Sequence, residues 1–227
     1  MVSLPHRVAL DLFAPLGPSY ERWAAVLSLG QDRRWREAMV AGLEIEPGEQ
    51  ALDVAAGTGS ITRRLQRAGA RVVSVDQSAA MLAAATGRGA IAVRAGGERL
   101  PFADGAFDVV TFGYLLRYVD DLPAALRELA RVLRPGGRMG MVEFGRPTGV
   151  SWAPWWLYTR VGLRLAGLAV GGGWREVGRF LGANIDAFAA TWPPHRLVEA
   201  WREAGLEDVR AARPSLGGGL VMWGRRL

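Results

Sequence analysis

A glycine-rich turn after an apolar run is the first stretch of this sequence whose residue types suggest binding chemistry. Residues 52–60 read LDVAAGTGS, with Gly57 and Gly59 on either side of Thr58. Small residues in such a turn let a ligand approach the backbone closely. A dinucleotide fingerprint would have a third glycine where this chain has Thr62, and a P-loop would have a lysine that the turn lacks. The sequence of the turn therefore predicts a binding site for a ligand that has no pyrophosphate. The alternative is that the turn is only a tight connection between a strand and a helix.

An acidic residue closes the next apolar run, RVVSVD, about 20 residues after the glycine turn. At this place Asp76 can accept hydrogen bonds from both ribose hydroxyls of an adenosine. A ligand that carries adenosine but no phosphate then fits better than NAD. S-adenosylmethionine is such a ligand, and Asp53 with the small backbone carbonyls of the turn would tolerate its positive sulfonium.

Strand-like and helix-like patterns alternate along the segment that carries these residues. Apolar runs predict strands at 51–57, 71–76, 90–95, 107–115 and 138–144. Helical spacing predicts helices at 60–68, at 79–86 with Ser78 as its cap, and at 122–133 before an RPGG turn. This alternation predicts an α/β fold with a doubly wound, mostly parallel sheet and helices on both faces. Ligands of such sheets bind beyond the carboxyl ends of the strands, so the site is expected there.

The flanking segments have weaker patterns. Residues 19–42 favour two helices separated at Gly30, residues 180–211 favour one or two more, and residues 221–227 favour a final strand. The aromatic segment 151–170 contains a proline and two arginines, which leave no stretch of about 20 apolar residues for a membrane span. We expect one domain over 1–227, made of N-terminal helices (1–45), a cofactor-binding core (46–147), substrate-side helices (148–190), and a C-terminal helix with strands (191–227).

Composition narrows the classes of protein. The chain has 227 residues, of which 50% are hydrophobic and 22% charged, and this excludes a wholly disordered protein. It has no cysteine, so disulfides, thiolate zinc sites and cysteine nucleophiles are excluded, and we expect a cytoplasmic protein without a metal. The net charge of +6 comes from scattered arginines, which are either ordinary solvated cations or a means of meeting an anionic membrane face or nucleic acid. A dense basic stripe is absent, so nucleic acid is not expected as a partner.

Acids and prolines near the N-terminus argue against a signal peptide.

Four segments in order resemble the motifs of the class I S-adenosylmethionine-dependent methyltransferases: LDVAAGTGS, VSVDQSAAML, GGERLPFADGAFDVVTFGYLL, and LRELARVLRPGG with MGMVEF. The resemblance implies a Rossmann-like, seven-stranded sheet, S-adenosylmethionine as cofactor and S-adenosylhomocysteine as product. Carried onto matching positions, it implies a cofactor site formed by Asp53, Ala55, Gly57, Thr58, Gly59, Asp76, Gln77, Met81, Gly96, Gly97, Glu98 and Gly113.

Within that class the chain is similar over nearly its whole length to the menaquinone/ubiquinone C-methyltransferase family. The segments FAPLGPSYERWAAVLSLGQDRRWR, LLRYVDD, FLGANIDAF, REAGLEDV and LGGGLVMWG carry this similarity. It implies carbon methylation of a prenylated quinol, for which a group must accept the phenolic proton or stabilise the phenolate. The similarity places Arg117 there as the oxyanion partner, although alone it would equally suit a surface position. Tyr20 and Glu143 are candidates to orient or deprotonate the acceptor, and Glu143 could instead be a structural anchor.

Three departures from the family pattern fall near the expected site. Gly96-Gly97 stands where an Asn or Asp and an Ala are usual, Tyr118 replaces an Asn, and Ala183-Asn184 replaces Glu-Ser. They leave two alternatives open: a methyltransferase of this scaffold for a phospholipid amine or a phenolic natural product, and a non-catalytic protein that binds S-adenosylmethionine.

The segment 151–164 is a candidate for contact with lipid. Its aromatic and apolar side chains would line a groove for a prenyl tail, and its arginines would face phospholipid head groups, so we expect peripheral contact with the inner membrane face. The residues concerned are Trp152, Trp155, Trp156, Leu157, Tyr158, Arg160 and Arg164. The alternative is that these aromatic residues pack on the sheet as core. His195 follows two prolines and is interpreted as a helix-start residue, while the oligomeric state is left open.

Overall fold

The computed structural model describes residues 20–86 and 91–227, with the backbone alone at Tyr20, Ala84 and Thr86. Its strands are β1 (Gln50–Val54), β2 (Arg71–Asp76), β3 (Ile91–Arg94), β4 (Phe107–Gly113), β5 (Leu133–Phe144), β6 (Leu206–Ala212) and β7 (Gly219–Arg226). Its α-helices are α1 (Tyr20–Leu27), α2 (Gln31–Ala41), α3 (Ser60–Arg67), α4 (Ala79–Thr86), α5 (Leu122–Val132), α6 (Trp152–Leu157), α7 (Leu163–Val170), α8 (Trp174–Thr191) and α9 (Pro194–Glu203).

The seven strands form one sheet in the order β3-β2-β1-β4-β5-β7-β6. The pairs among β1 to β5 are parallel, whereas β7 runs antiparallel to both β5 and β6. The chain leaves β1 toward one edge and returns at β4 on the other side, so the topological switch point lies between these two strands. The predicted doubly wound, mostly parallel α/β fold is confirmed.

Alternate side chains of the strands enter two separate cores. On one face Leu52, Phe112 and Met141 pack against α5 and α9, whose Trp201 is fully buried. On the other face Ala51 and Val109 pack against α2 and α3. Burial on both faces explains why the parallel strands are continuous apolar runs in the sequence.

The structure corrects several predicted boundaries. Helix α5 ends one residue early, at Val132, and β5 begins at Leu133, which pairs with Phe107 before the register shifts to Val109 and Arg138. The RPGG turn is therefore a bulge inside β5. Strand β6 lies in a segment expected to be helical, and its two-stranded ladder with β7 supplies the edge of the sheet.

Helices α6, α7 and α8 form a cap beyond the carboxyl ends of the strands. A π-helical turn, Tyr158–Gly162, joins α6 to α7. A Cβ at Gly178 would lie 2.4 Å from the carbonyl oxygen of Leu163, so glycine allows α7 and α8 to pack closely. Among the described residues, no helix has the length and hydropathy needed to cross a bilayer.

Candidate active site

A cavity of about 390 Å³ opens beyond the carboxyl ends of the parallel strands. The turn after β1, the end of β2 and the segment after β4 form one side of it, and α1, α2 and the cap helices form the other. Its volume falls in the range of roughly 300–1,000 Å³ that small-molecule sites occupy. Its position beside the β1–β4 switch point is the one expected for this sheet topology.

The glycine turn is held by Asp76 at the end of β2. The Gly57 N–H donates to Oδ2 of Asp76 at 2.8 Å, and the Ser78 N–H donates to Oδ1 at 2.8 Å. Gly57 itself has a φ of +56°. Burial raises the pKa of Asp76. Because each carboxylate oxygen can accept more than one hydrogen bond, Asp76 retains acceptor capacity toward the cavity that it lines, as ribose hydroxyls require.

Most of the expected cofactor residues share this cavity. The wall includes Ala55, Gly57, Thr58, Asp76, Gln77, Met81, Gly97, Glu98 and Gly113, together with Arg117. Asp53, Gly59, Gly96 and Glu143 are described but do not form part of the wall. Tyr20 begins α1, and its side chain lies outside the described part of the chain.

Asp53 is an internal anchor of the turn. One oxygen accepts the N–H of Thr62 at 2.8 Å and its hydroxyl at 2.7 Å, and the other accepts the hydroxyl of Thr111 at 3.2 Å. The side chain is fully buried, and burial raises its pKa to about 6. The carboxylate therefore connects β1 to the start of α3 and to β4, behind the cavity wall rather than in it. A place beside a sulfonium stays a prediction for Asp53. Thr62, noted only as a missing glycine, is its main partner.

The unusual pair Gly96-Gly97 accommodates neighbouring side chains. A Cβ at Gly96 would lie 2.8 Å from Nε2 of Gln77, and one at Gly97 would lie 3.0 Å from Leu115. The Gln77 side chain therefore occupies the space beside position 96. Since Gln77 also lines the cavity, it brings an amide to the place where the resemblance led us to expect a side chain at 96.

Arg117 is a buried cation in the cavity wall. It lies in a short 3₁₀ turn, Leu116–Tyr118, and its side chain is 2% exposed. Its Nε is 2.9 Å from Oε1 of Glu143, which is 1% exposed. Its Nη1 donates to Oδ1 of Asn184 at 2.9 Å, and its Cζ lies 5.1 Å from the ring centre of Tyr118. Two of the departures, Tyr118 and Asn184, thus contact this guanidinium directly.

Glu143 acts on the site through Arg117. Its Oε1 also accepts the N–H of Phe144 at 2.7 Å. Burial raises the pKa of Glu143, and the charge of Arg117 opposes that shift. Because it lies behind Arg117 and off the cavity wall, the geometry favours the interpretation as an anchor over that of a base.

A second polar cluster in the wall had no role in the sequence-based interpretation. The hydroxyl of Tyr114 donates to Oδ1 of Asp32 at 2.5 Å, and Nε of Arg36 donates to the same oxygen at 2.8 Å. All three residues line the cavity. Asp32 and Tyr114 are far apart in the chain and lie in two different family segments, neither of which indicated a contact between them.

The N-terminal helix closes over the glycine turn. Oε1 of Glu21 accepts the hydroxyl of Thr58 and a guanidinium N–H of Arg63, each at 2.6 Å. Arg63 also donates to the Thr58 carbonyl at 3.0 Å. Helix α1 is thereby attached to the turn that it covers.

The aromatic segment divides between the inside and the outside of the cap. Trp155, Tyr158 and Leu163 line the cavity, whereas Trp152 and Trp156 are exposed. The expectation that all these aromatics line one groove is therefore wrong, because consecutive residues of α6 point in different directions. Burial raises the pKa of Tyr158 to about 12.

Two solved structures share this fold. An S-adenosylmethionine-dependent methyltransferase from Thermotoga maritima has a TM-score of 0.66 and 19% identity, and covers 96% of this chain and 99% of its own. A geranyl diphosphate methyltransferase in complex with GPP and sinefungin has a TM-score of 0.60 and 17% identity, and covers 86% of this chain and 78% of its own. At these identities the likeness concerns the fold.

Sequence relatives are much closer. A protein of Mycobacterium sp. (strain KMS) named demethylmenaquinone methyltransferase is 46% identical over 227 residues, which cover 96% of this chain and 92% of the relative. A protein of Mycolicibacterium vanbaalenii with the same name is 41% identical over 224 residues, with the same coverage. Residues 2–224 match the ubiE/COQ5 methyltransferase family as a whole. The chain belongs to the ubiE/COQ5 methyltransferase family.

Proposed function

We propose that this methyltransferase uses S-adenosylmethionine to methylate a ring carbon of a prenylated quinol of the demethylmenaquinone type. The observation that carries the proposal is the buried guanidinium of Arg117 in the same cavity as the Asp76 carboxylate. One is suited to an acceptor oxyanion and the other to a nucleoside ribose. The names of the relatives supply the class of acceptor.

S-adenosylmethionine supplies an electrophilic methyl group when it is bound. We propose that Asp76 accepts the ribose hydroxyls, that the backbone of Gly57 borders the methionine part while Gly59 shapes the turn, and that Gln77 and Gly97 border the adenine. The remaining expected contacts are Ala55, Thr58, Met81, Glu98 and Gly113, and Gly96 contributes by leaving room for the Gln77 side chain. Cofactor and acceptor would meet within one enclosure, where alignment and exclusion of water favour a direct displacement.

The proposed task of Arg117 is to stabilise the acceptor oxygen as it becomes a phenolate. Its charge is held in place by Glu143 and Asn184 before any ligand arrives, so little reorganisation accompanies the reaction. Tyr20 remains a predicted orienting residue for the same acceptor.

The apolar half of the cavity suits the prenyl tail. Leu27 of α1, Trp155 of α6, Leu163 of α7 and Leu181 of α8 face it. Burial of a hydrocarbon chain along these side chains would contribute roughly 25 cal/mol per Å² of apolar surface removed from water.

The test is methyl transfer by the purified chain, with S-adenosylmethionine and a reduced demethylmenaquinone as substrates. We expect a product heavier by one CH₂ by mass spectrometry, and a loss of kcat in Arg117→Lys, because lysine cannot reproduce the paired geometry. Binding of S-adenosylmethionine by calorimetry without transfer to this quinol would contradict the acceptor. Transfer to a phospholipid amine or a simple phenol instead would identify one of the alternative acceptors.

We also propose that the outer face of α6 and α7 contacts an anionic lipid surface. Leu157, Val161 and Leu165 are spaced by one helical turn, and Leu157 and Leu165 are 56% and 61% exposed. Arg164, beside Leu165 in the chain, is also exposed. The chain as a whole carries a net positive charge. Aromatic and aliphatic side chains with adjacent arginines are typical of helices that lie in the membrane interface. A lipid acceptor could then reach the cavity through the cap.

The tryptophans of α6 provide both the variant and the control for this second test, because two are exposed and one faces the cavity. Trp152→Ser with Trp156→Ser should reduce flotation with vesicles of phosphatidylglycerol and phosphatidylcholine, because both side chains are exposed. Trp155→Ser should keep flotation, since Trp155 faces the cavity. Equal flotation of both variants and the wild type would contradict the lipid contact.

A further inference from the structure

We propose that Asp32 and Tyr114 form a proton-accepting pair for the hydroxyl of the methyl acceptor. This inference rests on the proposed function and adds to it the group that removes the phenolic proton. Arg117 can stabilise an oxyanion but, being a permanent cation, cannot serve as the base. The wall of the cavity must therefore provide the acceptor for the proton elsewhere.

The geometry of the pair would allow a proton to pass from the acceptor hydroxyl to Tyr114 and from Tyr114 to Asp32. The Tyr114 hydroxyl donates to Oδ1 of Asp32 at 2.5 Å. A phenolic oxygen accepts as well as donates hydrogen bonds, so it can pass a proton from a substrate to the carboxylate. Both side chains are among those lining the cavity, and the carboxyl group of Asp32 is largely buried. Arg117 lies on the same side, with its Cζ 5.8 Å from the Tyr114 ring centre. An acceptor hydroxyl near Tyr114 would thus have the stabilising cation close by.

The backbone holds Tyr114 in a costly conformation. Its φ is +57°, in the left-handed region that residues with large side chains rarely adopt. Its N–H donates to the Val142 carbonyl at 2.9 Å, and its ring packs on Phe144 with centroids 4.7 Å apart. These contacts maintain the strained residue at the end of β4. Strain of this kind clusters at functional sites, where it directs a side chain into the site.

The surrounding charges balance the carboxylate. Arg36, from the same helix, donates to Oδ1 of Asp32 at 2.8 Å, and its Cζ lies 5.1 Å from the Tyr114 ring centre. Arg64 on α3 also interacts electrostatically with Asp32, as it does with Glu37. Within the described part of the chain, the charged groups around the pair are therefore Arg36, Arg64, Arg117 and Glu37, with Asp53 interacting with Arg36 and Glu143 paired with Arg117. Nε of Arg36 lies 2.8 Å from Oδ1 of Asp32 as its ion-pair partner, and a carboxylate oxygen is an acceptor to which a proton can move.

The acceptor O–H proton moves to the Tyr114 oxygen while the Tyr114 proton moves to Asp32, and the electron pair left on the acceptor oxygen is delocalised to the ring carbon. That carbon forms a bond to the methyl group as the methyl–sulfur bond breaks, with its electron pair remaining on sulfur. The methylated carbon then loses its own proton, and the acceptor oxygen regains one from Asp32 through Tyr114. One proton is released for each methyl group transferred.

The first test uses Tyr114→Phe, which removes the hydroxyl and retains the ring that packs on Phe144. We expect kcat to fall by about 100-fold, since positioned bases contribute about 10²–10⁴-fold. The KM for the quinol and the Kd for S-adenosylmethionine should stay within about threefold. A kcat within threefold of the wild type would overturn the role of Tyr114.

The second test is the pH profile of Asp32→Asn. Without the carboxylate, methylation should depend on quinol that is already ionised, so kcat should rise about tenfold per pH unit above neutrality, whereas the wild-type kcat should be nearly flat. Asp104→Asn is the matched control, because Asp104 is 75% exposed and is not part of the cavity wall. If Asp32 has only a structural role, Asp32→Asn should lower Tm without changing the slope of kcat against pH. This result would overturn the proposal. Asp32→Glu should restore the flat profile in part.

The two hypotheses fail in different ways. If the wild type does not methylate the quinol, the proposed function is wrong, and the role of the pair is overturned with it. If the wild type is active and both variants keep its kcat and its pH profile, only the pair is overturned.

Discussion

The charge of Arg117 is almost completely buried, with its side chain 2% exposed, and Glu143 supplies the compensating charge. Removing one partner of a buried ion pair leaves the other uncompensated, which costs far more than replacing both with apolar residues. A single substitution and a double substitution therefore have different effects on stability. Comparing them separates the structural role of the pair from its role toward the acceptor.

We therefore expect Glu143→Gln to lower the free energy of unfolding by about 3–5 kcal/mol. The double variant Arg117→Met with Glu143→Leu should regain most of this stability, yet show no methyl transfer. Urea unfolding and the quinol assay measure the two quantities. Strictly additive losses of stability in the double variant would show that the pair is not coupled.

Asp76 combines two tasks in one carboxylate, holding the glycine turn and facing the cavity. In Asp76→Asn we expect the Kd for S-adenosylmethionine to rise at least tenfold, because one charged acceptor becomes an amide donor. Calorimetry measures this Kd, with Asp104→Asn as the exposed carboxylate control. Unchanged affinity in Asp76→Asn would exclude it from the cofactor site.

At the scale of elements, the turn between β1 and α3 depends on left-handed backbone. Gly57 has a φ of +56°, and a Cβ there would meet no atom within 4 Å, so space is open on the cavity side. Gly48 has a φ of +92° and also has open space, but it lies in an exposed turn before β1. The two positions share the backbone requirement and differ in their relation to the cavity.

This pair allows a controlled prediction. Gly57→Ala and Gly48→Ala should each lower the free energy of unfolding by about 1–2 kcal/mol, the cost of an L-residue in this region. Only Gly57→Ala should weaken the binding of S-adenosylmethionine, by about tenfold or more, because its methyl group would enter the ligand space. Equal affinities in both variants, measured by calorimetry, would show that the turn is not a ligand contact.

At the scale of the whole molecule, the buried carboxyl of Asp53 makes the free energy of unfolding depend on pH. It joins β1, β4 and α3 in the centre of the fold, and burial raises its pKa to about 6, while hydrogen bonds from Thr62 oppose the shift. The folded state thus binds this proton more tightly than the unfolded state, whose Asp pKa is about 4. The stability that the protonated carboxyl contributes is present below pH 4 and is lost as pH rises through 6.

We expect the free energy of unfolding of the wild type, relative to Asp53→Asn, to fall by about 1–3 kcal/mol between pH 4 and pH 7. Comparison with Asp53→Asn is needed because Asp108 and Glu128 have lowered pKa values and act in the opposite direction. Urea unfolding across this pH range measures the difference. A constant difference would mean that Asp53 has the same pKa folded and unfolded.

The architecture follows from local patterns in the sequence. Apolar runs and helical spacing predicted the five parallel strands and the helices between them, because each element must bury one face or both. The glycine turn and Asp76 were predictable for a similar reason, since strand ends of a parallel sheet meet at one edge. Strand β6 was not placed, because its charged residues lie at the exposed edge and give no apolar run.

The contacts that complete the cavity were decided by tertiary structure. Asn184 meets Arg117, Gln77 fills the space at Gly96, and Asp32 meets Tyr114 only because helices and strand ends distant in sequence converge. A local pattern states which face of an element is buried but not which polar side chain lies opposite. The sequence by itself therefore determined the five parallel strands and the edge at which their carboxyl ends meet, because both depend on local patterns. The packing of the cap and of α2 against that edge decided which polar side chains face the cavity, because those contacts join residues distant in the chain.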